Sequence, residues 1–185
     1  MPRTKRPAGS NVSVRGFFRL HIREGGRIVG DSGWRANTVT NLGFSHYLTD
    51  LLGQGANSKQ ISRMMLGTGT APNATHNTLD GELNTATYTR TTVTFTNTSS
   101  KTARFTATWA SSSSHITASV ALQNIGICNN TTSGGTIMAG NTYTTSAWNT
   151  NQDVNASYEI RFSEVLVLLG GLVYSAMSAI NLLVS

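Results

Sequence analysis

The sequence predicts a mainly β, single-domain protein: an antiparallel β-sandwich or jelly-roll-like barrel with one amphipathic helix at about 41–52. Three observations predict it. Thr, Ser and Asn make up most of the polar content, a mix that favours strands and turns over helices. Val, Ile, Phe, Trp and Tyr recur in short alternating runs separated by polar turns, the signature of half-buried strands. Only one segment in the body of the chain carries helical periodicity. A chain of 185 residues is one domain by default and buries roughly 70% of its unfolded surface.

Residues 14–23 read as the first strand, with Phe18, Leu20 and Ile22 on one face and Arg19, His21 and Arg23 on the other. Gly25-Gly26 signals a hairpin, with Arg27 to Val29 as the return strand. Trp34 is expected to cap the first core layer. In the helix, Phe44, Tyr47, Leu48, Leu51 and Leu52 fall at the spacing of one face; Thr40 or Asn41 caps its start and Gly53 its end.

Further strands are expected at Gln60 to Leu66, at Thr87 to Thr96 (Val93 and Phe95 inward), at Ala103 to Ala110 (Phe105, Ala107 and Trp109 inward), at His115 to Leu122 (Ile116, Ala118, Val120 and Leu122 inward) and at Ala156 to Phe162 (Tyr158, Ile160 and Phe162 inward). No repeat of 20–50 residues is visible in the chain.

The charge is distributed unevenly. Residues 1–35 hold eight cations and two anions, so the whole formal charge of +6 lies there. Residues 1–13 read as an extended basic arm carrying Arg3, Lys5 and Arg6, with Pro2, Pro7 and Gly9 against regular structure. No apolar run follows those cations, so the start does not read as a signal peptide. The body spans 14–164. Residues 165–185 form a tail with no charged side chain, its apolar contacts expected from Val165, Leu166, Val167, Leu168, Leu172, Val173, Ile180, Leu182 and Leu183. That length suits a membrane span. Gly170-Gly171, Ser175, Ser178 and Asn181, with no flanking cations, favour burial against protein instead. A basic arm and an uncharged tail together suit an assembly subunit, both ends being covered by neighbours. Binding of nucleic acid by the arm is disfavoured, since no reader motif accompanies it.

No residue pattern proposes catalysis, a metal or a cofactor. His21, His46, His76 and His115 lie far apart, without ligand spacing. Asp80 and Glu82 form a close carboxylate pair on an Asp-Gly-Glu turn, read as capping or a salt bridge, with a cation site as the alternative. Gly67-Thr68-Gly69 lacks the Gly-Lys-Ser/Thr of a phosphate loop. The lone Cys128 reads as a small buried hydrophobe. Trp148 and Tyr143 stand as candidates for stacking on a ligand, with Trp109 more readily placed in the core.

The stretch Trp34-Arg-Ala-Asn37-Thr-Val-Thr-Asn41-Leu-Gly43 is followed by the helix, by Met65-Leu66-Gly67-Thr68-Gly69-Thr70 with Pro72, and by Asn77-Thr78-Leu79-Asp80-Gly81-Glu82-Leu83. Later come Asn124-Ile125-Gly126-Ile127-Cys128 and Gly134-Gly135-Thr136-Ile137-Met138. This order, over residues 34–162, resembles small virion proteins of tailed bacteriophages: tail-fibre, baseplate or head-accessory components. Asn124 stands where that pattern has Glu, Cys128 where it has an aromatic, and Asn77 where it has Asp. The resemblance implies a non-enzymatic virion subunit assembled in the host cytoplasm. It would be a capsid decoration or cement protein, or a small tail component, contacting the major capsid protein or tail subunits as a homo-oligomer such as a trimer.

Overall fold

The computed structural model describes residues 10–53, 55–56, 58–83, 88, 90–130 and 135–166. Its strands are β1 (Ser10–Glu24), β2 (Arg27–Asp31), β3 (Arg35–Val39), β4 (Arg63–Gly67), β5 (Thr91–Thr92), β6 (Thr94–Ser99), β7 (Thr102–Trp109), β8 (Val120–Cys128), β9 (Ile137–Trp148) and β10 (Asp153–Leu166). All pairings are antiparallel, in the order β5-β4-β8-β9-β3-β1-β10-β7-β6, with β2 alongside β1. Only Val93 separates β5 from β6, so the two edges of the sheet are consecutive in the chain and the sheet is nearly closed into a barrel. The Val93 N–H donates to the Ser62 carbonyl at 3.1 Å at that bend. Near-closure leaves little exposed strand edge for stray pairing.

Alternation along each strand sends one set of side chains inward. Phe18, Leu20 and Ile22 of β1 meet Val154, Ala156, Tyr158 and Ile160 of β10, all buried. Phe18 stacks on Tyr158 at 6.2 Å and tilts against Tyr143 at 5.9 Å between ring centroids. Trp109 and Trp148 are among the largest fully buried side chains. The β1–β2 turn falls at Gly25 and Gly26, with φ of 54° and 82°, a left-handed pair that glycine adopts without strain.

Four expectations are corrected. Trp34 is 40% exposed and lies on the outer face rather than in the core. Phe95 is 56% exposed, because β6 is the outermost strand and faces solvent along its length. Residues 115–119 are not strand; the strand begins at Val120 and runs to Cys128, and Ala118 is exposed. β1 begins at Ser10, inside the stretch read as an arm, because Ser10 to Ser13 pair with Leu166 to Ser163 of β10. Residues 1–9, with Arg3, Lys5 and Arg6, lie outside the described residues, as do Val167, Leu168, Leu172, Val173, Ile180, Leu182 and Leu183.

The helix, α1, spans 41–52: α-helical at Asn41–Phe44, π-helical at Ser45–Thr49, and α-helical again at Asp50–Leu52. The buried Thr40 caps it, its hydroxyl accepting the Gly43 N–H at 2.9 Å and donating to the Ile137 carbonyl at 2.8 Å. Gly43 presses the first turn onto β9, so a methyl group there would overlap the Met138 carbonyl oxygen. Gly43→Ala should therefore cost about 1–3 kcal/mol by overpacking against backbone, read as a lower midpoint in chemical denaturation; an unchanged midpoint would refute the close approach.

Candidate assembly interface

The helix face is only partly buried. Tyr47 is 4% exposed and Leu48 half-buried, but Phe44, Leu51 and Leu52 are 43%, 49% and 90% exposed. The wider π turn shifts the phase of the second half, so residues placed on one face by a 3.6-residue period diverge. Between the helix and strands β6, β7 and β10 lies an apolar groove of about 420 Å³. Leu48 and Leu51 line it from the helix, Ile61 from the following loop, and Phe95, Phe105 and Phe162 from the strands. Tyr47 reaches it too, its hydroxyl spent on the Thr136 carbonyl.

The groove sits at the end of the barrel where β1 begins and β10 ends. There the two strands outrun their neighbours. β3 last pairs with β1 at Gly16, and β7 reaches β10 at Arg161, with a final bond from the Phe162 N–H to the Lys101 carbonyl. Beyond that rim Ser10 to Ser13 and Ser163 to Leu166 pair with each other. At strand rise this ribbon projects roughly 13 Å. Val12 on it is 69% exposed. The ribbon places Ser10 and Leu166 beyond the rim on the same side of the barrel.

Below the ribbon, the outer face holds a charged cluster built by register. Arg104 lies opposite Glu159, and Arg161 two residues further along β10. Glu159 is 2% exposed and accepts from Arg104 Nε at 2.8 Å and Arg161 Nε at 2.7 Å. Burial pushes its carboxyl up, but those two hydrogen bonds outweigh it and hold it below its ordinary value. The Arg161 guanidinium lies over Phe17 at 4.2 Å, and both arginines approach Trp34, at 5.7 and 5.9 Å. The sequence did not reveal this cluster, since Arg104 and Glu159 meet only through strand register.

The other candidate residues resolve as structure. Trp148 and Tyr143 are 1% and 7% exposed, and the Trp148 indole donates to the Gln152 carbonyl at 2.9 Å; they pack the interior and are not surface stacking residues. Asp80 caps Thr70, accepting from its N–H at 2.9 Å and its hydroxyl at 2.8 Å, which lowers its pKa. Glu82 pairs with Arg90 at 2.5 and 2.6 Å, and Arg90 also donates to the Asn130 carbonyl at 3.3 Å. Cys128 is fully buried, and burial pushes its thiol up. His21 approaches Asp31 at 3.4 Å and His46 approaches Asp50 at 3.0 Å, while His76 accepts from Asn73 at 3.4 Å and His115 packs near Trp148. Among the described residues no three His, Cys, Asp or Glu converge on a metal site, and no helix is long and apolar enough to cross a membrane.

Compared with known proteins, the chain matches no family model, no curated protein and no solved structure.

Two stability effects follow. Arg90→Met leaves the Glu82 carboxylate without its buried partner and should cost about 3–5 kcal/mol, measured by urea denaturation; a loss under one kcal/mol would count against the pair. Acid should act through Asp31, Asp80, Asp153 and Glu159. The Arg19 hydrogen bond holds Asp31 well below the carboxylate range, Thr70 and Ser111 hold Asp80 and Asp153 down, and all four bind protons more weakly folded than unfolded. Their stabilisation is complete above the unfolded carboxylate pKa of about 4 and is lost as pH falls through the lower folded values. Melting temperature should ease down slightly from about pH 7 to 5, where burial makes His115 bind its proton more weakly folded than unfolded, and drop steeply below about 4; a steep drop that begins above pH 5 would assign the acid transition to other groups.

Proposed function

We propose that this chain is a non-enzymatic structural subunit of a tailed-bacteriophage particle, a capsid decoration or cement protein that docks through its two ends. The observation that carries this reading is the β1–β10 ribbon. It brings Ser10 and Leu166 together past the rim of the barrel, and in sequence a basic segment precedes the one and an uncharged apolar segment follows the other. A basic end steers an encounter with an acidic lattice, and an apolar end contributes buried area once contact is made. The motif order between Trp34 and Leu83 and its resemblance to small virion proteins supply the particle. Partners in this reading are the major capsid protein and further copies of the chain, as in a closed trimer.

A small tail component for host attachment is the second reading. The exposed Trp34 with Arg104 and Arg161 on the outer face favours it, because aromatic and arginine side chains dominate recognition surfaces.

Quantitative mass spectrometry of purified particles decides. A copy number comparable with that of the major capsid protein is expected for decoration. A handful of copies per particle would replace it with the tail reading. Absence from particles would overturn both.

A further inference from the structure

We propose that the groove between α1 and strands β6, β7 and β10 is the seat of the apolar C-terminal segment, 167–185, of a neighbouring copy of this chain. The inference rests on the assembly role proposed above and names the contact that would build it.

Three features of the groove select its occupant. First, its lining is apolar and its polar groups do not converge. Leu48, Leu51, Ile61, Phe95 and Phe162 form the walls. Tyr47 has already given its hydroxyl to the Thr136 carbonyl, and the exposed Gln60 and the half-buried Lys59 are the other polar side chains among the described lining residues. A small-molecule pocket of this volume usually carries a few placed polar groups that fix orientation. Here only non-directional burial of carbon is on offer, which suits a peptide without charges. Second, the groove's rim is exposed. Leu51 and Phe95 at its edges are 49% and 56% exposed, and Leu52 beside them is 90% exposed. A contiguous apolar rim of this kind marks a contact surface. Third, the chain supplies the complement. The residues after Leu166 include Leu168, Leu169, Leu172, Val173, Ile180 and Leu182 and carry no charged side chain.

Geometry chooses the neighbour over the same copy. Phe162 lines the groove, and the ribbon then carries β10 onward to Leu166, roughly 13 Å past that point. The segment therefore starts outside its own groove, at the rim where a neighbouring copy would meet it. Each copy gives one tail and accepts one, a head-to-tail contact that closes into a ring when the rotation permits. The stabilisation is hydrophobic, so association should strengthen with sulfate and be insensitive to dilute sodium chloride.

The test uses the full chain with p-benzoylphenylalanine in place of Phe95, an exposed position at the groove edge. Copies labelled with ¹⁴N and ¹⁵N are mixed, irradiated and digested, and the linked peptides are identified by mass spectrometry. The expected result is linkage from position 95 to peptides within 167–185 of the other isotope. Leu51→Asp, also at an exposed position, should reduce that linkage and weaken self-association by sedimentation on the order of tenfold. Links within one copy only, links to other segments, or no links would overturn the proposal, as would unchanged association of Leu51→Asp. Particle copy number reads the assembly role separately. Abundant copies without links to 167–185 would sink this contact and leave that role standing; links in a protein missing from particles would do the reverse.

Discussion

The pairing of β1 with β10 is the constraint on which the rest of the molecule depends. It runs without interruption from Ser10 opposite Leu166 to Arg23 opposite Asp153. The first and last described strands of the chain are thus neighbours at the centre of the sheet. Its inner face supplies Phe18, Leu20, Tyr158 and Ile160 to the core. Its outer face sets Phe17 opposite Glu159 and Arg15 opposite Arg161, which assembles the arginine cluster. A one-residue slip of β1 would turn Phe18 and Leu20 outward and Phe17 and Arg19 inward against an unchanged β10. The core and the charged face therefore enforce the same register from opposite sides. Because the partners lie far apart in sequence, this ladder pays a large loop-closure cost before it gains anything.

The same pairing explains why the two ends of the barrel differ. At one end β1 and β10 finish level with their neighbours: Arg23 faces Asp153, β2 flanks β1, and Trp148 closes the interior. At the other end the two strands outrun the sheet, and closure falls to α1. That helix is tethered firmly at its start, through Thr40 and Gly43 against β9, and through Tyr47 to Asn129 and Thr136. Among the described residues its last turn has no comparable anchor to a strand: Leu51 and Leu52 are exposed, and Gly53 ends it. The π turn comes between the two behaviours. It lets Tyr47 reach inward while the residues after it swing off the core, and the groove opens where they no longer fill the space.

Much of the fold was legible in the sequence, and the failures have physical causes. The strands with large alternating side chains, such as Phe105-Thr-Ala-Thr-Trp109 and Tyr158-Glu-Ile-Arg-Phe162, stand out because each inward position is much more apolar than its neighbours. β9 did not stand out. It carries Ala139, Gly140, Thr142 and Thr144, small or hydroxylated residues on both faces, and only tertiary packing makes it a central strand. Trp34 and Phe95 were expected inside because aromatic residues bury the most area. Trp34 is instead held outside by two guanidinium groups, and Phe95 by its place on the last strand of the sheet. The groove and the ribbon were not legible at all. One arises from a change of helical phase, and the other from one strand pair being longer than those beside it.

The motif residues between Thr40 and Leu83, together with Asn124, acquire structural duties. Thr40 caps the helix, and Gly43 admits it to the sheet. The buried Asn124 donates to the Thr70 carbonyl at 3.0 Å and the Asp80 carbonyl at 2.7 Å, binding the Leu-Gly-Thr-Gly strand end to the Asp-Gly-Glu turn. Leu83 N–H to Leu66 and Thr68 N–H to Gly81 complete that junction. An Asn in that place can donate twice, which an ionised carboxylate cannot do. Every one of these residues is committed to holding the barrel together, so the motifs specify a scaffold. What distinguishes this chain must lie where the scaffold leaves side chains exposed: the apolar rim of the groove beside α1, the Trp34 face, and the projecting β1–β10 ribbon.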